Sequence, residues 1–585
     1  MRTTDWMHGL ALGGLMVTGL PACSDDAGDA AEDTAGTGES EAGGASDGSA
    51  TGDSASGSSG DAGGSGGSSG GTGDSGGDGD GDGDGDVTPP EEVCTPPIGL
   101  ADVSSPDTVV TSCDEAGLRS AVEQGGVIVF DCGSEPVTIT LTATLEVPTD
   151  RDTVLDGGGL VTLDGGDTVR ILSFYNENYR QNESRLTLQR LTFQNGRAPL
   201  GEFTPDPGDG CAWGYRDGEG AAVLVRDGRL DVIDCVFRGN HAAPSGPDTG
   251  GGGIYAAGSL GVTIVGSAFI DNEGSNSGAV GFLQTDGGIY NTRFENNRAL
   301  GTGQNRRQEG CPFFNHDEQG GGGGNGGAMA IDGADDVEQL FCGVEFLNNS
   351  ANELGGAVFR TPNGMQRPTT FRQCTMDGNQ GGGGGSLYIS NSLFTLEDST
   401  VSNNTAEGLG GGVRTELETE LNLTNVTFHG NETTAGLGGA LSHSGGGGTI
   451  RNCTFANNRA EGGEEFFTAA IRGETATITN SIFENNTTVT PWNPAQCWFT
   501  PHPGQDNFQW PRLRGDSDQE DTACVENITW ESAELGPLQD NGGPTRTTMP
   551  AAATVIGGGS ACPATDQRGV PRPETGCTAG AVEAN

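Results

Sequence analysis

Leu421-Asn-Leu-Thr-Asn-Val-Thr-Phe428-His-Gly-Asn431 reads as a short strand with period-2 alternation that runs into a Gly-Asn corner. Its closing phrase, an apolar residue followed three positions later by Asn, returns as Val401-Ser-Asn-Asn404, Phe455-Ala-Asn-Asn458 and Phe483-Glu-Asn-Asn486, at spacings of 27, 27 and 28 residues. Upstream, with variations, it is led by Phe193, Phe237, Phe269, Phe294, Phe346 and Met376, which makes ten copies. A second phrase follows most copies about nine residues later: Gly355-Gly-Ala-Val358, Gly410-Gly-Gly-Val413, Gly438-Gly-Ala-Leu441.

A fixed period of 25 to 30 residues marks a stacked repeat. Each unit is too rich in Gly, Asn, Thr and Ser for a helix pair, so two or three short strands joined by Gly and Asn corners remain. The fold class is therefore all-β: a single-stranded parallel β-helix, one coil per repeat. Asn tolerates the left-handed conformation that a corner needs, and stacked Asn amides can bond from coil to coil. The Gly pair admits a corner that a Cβ would obstruct. The leading Phe and the residue two before it point inward.

The paired Phe-x-x-Asn and Gly-Gly-Ala-(Ile/Val/Leu) phrases resemble the repeat of the polymorphic outer membrane protein family. More broadly the chain resembles right-handed parallel β-helix proteins of the pectate-lyase-like superfamily, which implies a right-handed winding for the solenoid. The resemblance covers about residues 190–485, and residues 93–189 supply an amino-terminal cap and the first coils. Within that cap, Asp114 or Ser112 can cap a short helix whose Leu118, Ala121 and Val122 share one face. Such a helix covers the otherwise open edge of the first coil.

Met1 to Ala22 reads as a signal peptide, with Arg2 ahead of an apolar run too short to span a bilayer. Leu20-Pro-Ala-Cys23 resembles a lipobox, although Pro21 departs from its usual pattern, and makes Cys23 the expected lipidation site. Residues 23–92 then form a tether; positions 24–92 hold 18 acidic residues, no aromatic and no Arg among Gly, Ser and Ala, and are expected to be disordered. Its reach is about 40–50 Å. The Asp-Gly alternation from Gly77 to Asp86 lacks the spacing of a Ca²⁺ loop, so no cofactor is expected and Ca²⁺ has no support in the residues. With leader and tether set aside, the body carries 62 acidic residues against 27 Arg, and no Lys occurs anywhere. Such a surface repels nucleic acid and anionic headgroups. The expected location is export, with lipid anchoring to the outer membrane or cell surface and an extracellular body.

Three corners are lengthened: Phe193 to Gly220, Phe237 to Gly252 and Phe294 to Gly326. They leave the stack at one corner, on coils within about 15 Å of each other at ~4.8 Å per coil, and loops on a rigid scaffold are where binding resides. Trp213, Tyr215, His241, Phe313 and Phe314 are the expected ligand contacts, for a carbohydrate or a cell-surface protein. No catalytic residue is expected; His316 and Asp317 are the best catalytic-looking neighbours, but they lie on an insertion, and adjacent His and Asp are common on surfaces. Asp156, Asp164 and Asp167 sit in Asp-Gly turns with an expected structural role, and no metal site is expected. Superfamily relatives that cleave acidic polysaccharides use Asp-bound Ca²⁺ with a Lys or Arg base, or paired carboxylates. Neither pattern is evident here. An adhesive or structural surface lipoprotein is thus the first expectation, and a polysaccharide lyase or glycoside hydrolase the alternative.

The chain has fourteen Cys, and disulfides are expected in an exported protein. Cys235, Cys374 and Cys453 lie two before a leading residue and, with Cys342, are read as buried thiols too far apart to bridge. The expected bridges are Cys113–Cys132, Cys211–Cys311, Cys497–Cys524 and Cys562–Cys577, which leaves Cys94 without a partner. Residues 486–534 form an aromatic, Pro-rich excursion. The end, 535–585, with Leu535-Gly-Pro-Leu-Gln-Asp-Asn-Gly-Gly-Pro544, resembles the choice-of-anchor Q module, without its sorting helix. It is expected to cap the last coil.

Overall fold

The computed structural model describes residues 91–199, 218–246, 249–303, 323–333, 338–362, 366–461, 468–473, 476–489, 492–515 and 517–584. Their strands form three parallel sheets of 25, 11 and 8 strands, wound as a β-helix. The coil built from the decisive stretch shows the plan. Val413–Glu416 lies in the 11-stranded sheet, Glu420–Thr424 and Thr427–His429 in the bent 25-stranded sheet, and Glu432–Thr433 in the eight-stranded one. Four strand segments therefore serve each such coil, rather than two or three. Each break holds a left-handed residue: Gly410, Leu417, Asn425 and Gly430 have φ of 72°, 55°, 54° and 66°.

The two sequence phrases divide the work. In the first, the residue after the short strand turns left-handed (Asn403, Gly430, Asn457, Asn485), and the Asn that follows it enters the stack. Asn240, Asn272, Asn297, Asn349, Asn379, Asn404, Asn431, Asn458 and Asn486 form one ladder. Asn431 Nδ2, for example, donates to Asn458 Oδ1 at 2.9 Å and to the Val401 carbonyl at 2.8 Å, while its Oδ1 accepts from the Asn404 amide at 3.2 Å. At the head, Asn486 donates to Gln496 Oε1 at 3.1 Å. In the second phrase the first Gly is left-handed, with φ of 67°, 72° and 74° at Gly355, Gly410 and Gly438. The second Gly lets adjacent coils touch: a Cβ on Gly411 would stand 2.2 Å from the Gly439 oxygen.

Phe193, Phe237, Phe269, Phe294 and Phe346 stack in register at 4.6–5.2 Å between centroids. Met376 and Val401 interrupt the column before Phe428, Phe455 and Phe483 resume it at 4.8 and 5.1 Å. All are fully buried, and parallel offset rings add to the burial itself. Arg360 breaks the apolar pattern at an inward position, in register between Ile331 and Ile389. Burial lowers its pKa to about 10, against the opposing charges of Asp332 and Asp286.

The amino-terminal helix is Glu115–Val122. Asp114 caps it by accepting the Gly117 amide, and Leu118, Ala121 and Val122 are buried. The stack does not stop at Phe483. Gly504–Gln505 and Phe508–Trp510 add a further coil, and His502–Val525 and Phe508–Thr529 bridges begin another.

Cys113–Cys132, Cys497–Cys524 and Cys562–Cys577 are bridged. Cys235, Cys374 and Cys453 are buried thiols, and burial pushes each up to about 12. Cys342 corrects its expectation: it is bonded to Cys94. Strand alternation explains the error, since Phe341 points inward and is 1% exposed, so Cys342 must face out. The chain around Cys94 lies on the flank, where Asn291 Nδ2 donates to the Cys94 carbonyl at 2.7 Å. Further on, the Ala101 amide donates to Gln189 Oε1 at 2.8 Å.

The carboxyl-terminal region also departs from expectation. It does not sit over the last coil but folds back along the same flank. Asn480 donates to the Ser560 carbonyl at 2.8 Å, Gln567 accepts from Thr427 at 2.6 Å, and Arg546 pairs with Asp377 at 2.7 Å. The partial coil carrying the buried Cys524 and Val525 closes the end instead.

Candidate functional site: the insertion corner and a terminal pocket

The three long insertions leave and rejoin the stack at one corner, and their bases are joined. The Pro199 carbonyl accepts from the Gly218 amide at 2.8 Å, and the Gly218 carbonyl accepts from the Ala243 amide at 2.9 Å. Ser275 Oγ donates to the Gly246 carbonyl at 2.7 Å. The Ser275 carbonyl in turn accepts from the Gly301 and Gly324 amides at 3.1 and 2.9 Å. The ends of all three insertions thus form one hydrogen-bonded platform across consecutive coils.

Of the expected contacts, His241 lies on this side of the body. Its Nδ1 is 2.9 Å from Asp167 Oδ1, and Arg197 reaches the same carboxylate at 3.1 Å. The His241 hydrogen bond, and then the Arg197 charge, hold the Asp167 carboxyl below its ordinary value. Trp213, Tyr215, Phe313, Phe314, His316, Asp317, the Cys211–Cys311 pair and the Cys23 anchor lie outside the described residues. Asp156 and Asp164 are tied to structure. Asp156 is buried against Arg190 and accepts from Gln189 Nε2 at 2.9 Å, and Asp164 accepts the Gly166 amide at 2.7 Å.

A second feature lies among the last coils: a cavity of about 300 Å³. Inward positions of the 11-stranded sheet run Thr415, His443, Gly473 in register. A Cβ on Gly473 would stand 1.6 Å from the His443 carbonyl oxygen, so the glycine lets the two coils approach there. His443 lines this cavity, and its Nδ1 is 2.7 Å from Thr415 Oγ1. His502 forms a wall and accepts the Ala476 amide on Nδ1 at 3.1 Å. At the mouth, the Arg472 guanidinium lies 5.8 Å from the centre of the Trp498 ring. A larger cavity, about 460 Å³, sits at the head of the Asn ladder. There Asp521 is committed to the Ala495 amide at 2.8 Å and to Arg514 at 3.4 Å, so its main polar groups are already partnered.

Winding, ladder and repeat decide the type of protein. This is a right-handed parallel β-helix with polymorphic-membrane-protein-like repeats. The description "Right handed beta helix region" matches residues 340–497, and the "Chlamydia polymorphic membrane protein repeat" matches residues 234–257. No curated protein matches the chain. Among solved structures, the alginate lyase AlyF-OU02 in complex with G6 is similar at 11% identity and a TM-score of 0.38. That likeness covers 73% of this chain and 88% of the lyase, and is too distant to speak of activity.

The terminal pocket was missed in the sequence although one signal was present. In Leu441-Ser-His443 the alternation places His443 inward, where neighbouring coils put apolar residues or Thr. No periodic signal marks Gly473 or His502. Among the described residues no group of three His, Cys, Asp or Glu could hold a metal ion, and no helix is long and apolar enough to cross a membrane.

Proposed function

We propose that this β-helix is a surface-displayed lipoprotein with an adhesive or structural role, anchored by a lipid on Cys23 and raised on the acidic tether. It meets a carbohydrate or a cell-surface protein at the insertion corner. The observation that carries this reading is the shared platform of the three insertion bases, from Pro199 and Gly218 through Ser275 to Gly324. Insertions tolerated at random would have no reason to emerge side by side. The match to a polymorphic membrane protein repeat supports display at an outer membrane or cell surface.

The test trims the first and third insertions to the nine-residue length of ordinary coils and compares both chains on glycan and surface-protein arrays. Binding is expected to disappear while the far-ultraviolet spectrum and cooperative melting persist. Undiminished binding by the trimmed chain would reject the corner. If the intact chain instead cleaves a polysaccharide, with His316 or Asp317 individually essential, the lyase or hydrolase reading replaces this one.

A further inference from the structure

The sheets of the solenoid do not end together. The last coils extend the 25-stranded sheet through Gly504–Gln505 and Phe508–Trp510, whereas among the described residues the eight-stranded sheet ends at Thr487–Thr488. Phe483 pairs with Gln509 and Glu484 with Trp510. Positions 512 and 513 would therefore supply the next ladder residue and the next short strand. The chain turns away instead, and Leu513 pairs antiparallel with Glu520. Gln496 closes the ladder from the side: its Oε1 accepts from Asn486 at 3.1 Å and its Nε2 donates to the Trp510 carbonyl at 3.2 Å.

One backbone group is thereby left without its usual partner. In the coils below, the carbonyl of each ladder Asn accepts from the next coil: Asn379 from Thr405, Asn404 from Glu432, Asn431 from Arg459 and Asn458 from Thr487, at 2.8–2.9 Å. The Asn486 carbonyl is next in this series, and no described residue donates to it. An edge of this kind is a template for another extended chain. A cavity of about 460 Å³ opens over it, within the range of binding sites. The buried polar groups of its lining are engaged, Asp521 with the Ala495 and Gln496 amides and Gln496 with the ladder. The apolar groups of the rim are open to solvent instead: Val489 is 54% exposed and Leu513 42%. Trp492, 68% exposed, stands beside them, where its carbonyl accepts from Arg514 Nη1 at 2.9 Å.

We propose that the head of the eight-stranded sheet is a docking site for an extended segment of another protein, which adds as a parallel strand beyond Thr487–Thr488. The direction follows from the sheet, in which every pair of strands is parallel. The inward side chains of the segment are apolar and meet Val489, Pro511 and Leu513. Charge selects the rest. With 62 acidic residues against 27 Arg, the body repels a second copy of itself and attracts a segment whose outward side chains are basic. In the existing strands the amides that donate to the coil below belong to the outward residues, Thr405, Glu432, Arg459 and Thr487, and not to the buried Ala406, Thr433 and Ala460. The basic residues of the segment therefore supply the N–H that reaches the Asn486 carbonyl. The site lies at the opposite end of the Asn ladder from the insertion corner and does not depend on what that corner binds.

The experiment titrates the full chain, at an ionic strength of about 0.15 M that screens loose charge attraction, with a synthetic heptapeptide of alternating arginine and valine, followed by calorimetry. Saturable binding is expected. N-methylation of the arginine amides should weaken it by about tenfold or more, and N-methylation of the valine amides should leave it within about twofold. Combining Val489→Ser with Leu513→Ser should also cost about tenfold or more. Both side chains are exposed, so an unchanged melting temperature will show that the fold survives. The chain with trimmed insertions should bind the peptide undiminished, which separates this site from the corner. Absence of saturable binding, equal affinity for the two methylated peptides, or full binding by the double variant would overturn the proposal. So would dimerisation, or adsorption to phosphatidylcholine vesicles, that the double variant abolishes, since the apolar rim would then serve a second copy or a lipid surface.

Discussion

Two long edges of the β-helix have opposite fates. Along one, the bend inside the 25-stranded sheet, left-handed residues follow coil after coil: Arg190, Asp234, Asn291, Gln373, Asp398, Asn425, Asn452, Asn480. The chain covers this edge with itself. The amino-terminal strip takes the part from Asn291 to Gln189, and the carboxyl-terminal region takes the part from Asn480 to Asp377. The other edge, the corner of the Gly-Gly phrase, carries all three insertions and is left to them. A solenoid exposes repeated backbone corners along its whole length, and each must be solvated, covered or used. Here covering and use are assigned to different edges, which is why the candidate contacts gather on one side.

The largest expected effect attacks the covered edge at its staple. The Cys94–Cys342 bridge closes a loop of 248 residues, for which loss of loop-closure entropy predicts up to about 5 kcal/mol. Cys94→Ser should lower the denaturation midpoint and open residues 93–107 to limited proteolysis. An unchanged cleavage pattern would mean that the strip holds without its bridge.

Phe455→Ala tests the interior beneath both edges. It should cost about 3–5 kcal/mol by chemical denaturation, whereas a loss under 1 kcal/mol would deny that the ring column supports the stack. Arg572→Ala returns to the covered edge. Its side chain is 1% exposed, pairs with Glu583 at 3.1 Å and donates to the Thr578 and Gly580 carbonyls. Removing it leaves a buried carboxylate uncompensated, for about 3–5 kcal/mol. A neutral outcome would show the carboxyl-terminal region to be a loose appendage.

Asp398 gives the covered edge a pH signature. Burial raises its carboxyl to about 6, with the Asn425 hydrogen bond opposing and Glu397 and Asp566 adding to the rise. A carboxyl whose folded value lies above its ordinary 3.8 costs nothing while protonated in both states. The cost grows as pH rises from about 3.8 through about 6 and is constant above that. Relative to Asp398→Asn, the natural chain should therefore lose stability across that window. Parallel curves for the two chains would show that Asp398 titrates normally. The smallest effect belongs to the open edge. His241→Ala removes a half-exposed pair with Asp167 and should change stability by less than about 1 kcal/mol.

The same contrast explains what was legible in the residues. The repeat announces itself because each coil must place an inward ring, a left-handed corner and a ladder Asn at one phase, as Phe428, Gly430 and Asn431 do. The corner that bears the insertions was readable for the same reason, since lengthening interrupts a known phase. The covering segments carry no period. Nothing in the amino-terminal strip tells that Cys94 meets Cys342, and the pairing depends on where a non-repeating strip lies in space. Cys342 could still have been placed outward from its neighbour Phe341, because alternation is local. The carboxyl-terminal region was read as a cap because solenoid ends need one, but the partial coil around Val525 already fills that need. The terminal pocket brings His443 together with Trp498 and His502, which lie beyond the repeat where no period marks them.

The Cys94–Cys342 bond also sets how the body carries load. Residues 95–341, including every coil that bears an insertion, lie inside its loop. Tension applied between the chain ahead of Cys94 and the carboxyl-terminal end crosses the sulfur atoms directly into the strand Gln339–Cys342 and continues through the later coils. The insertion corner is bypassed, as a wire is by a parallel strut. A protein held at its amino end and pulled from its far end would strain its later coils first, and the corner would keep its shape until the bridge was cut.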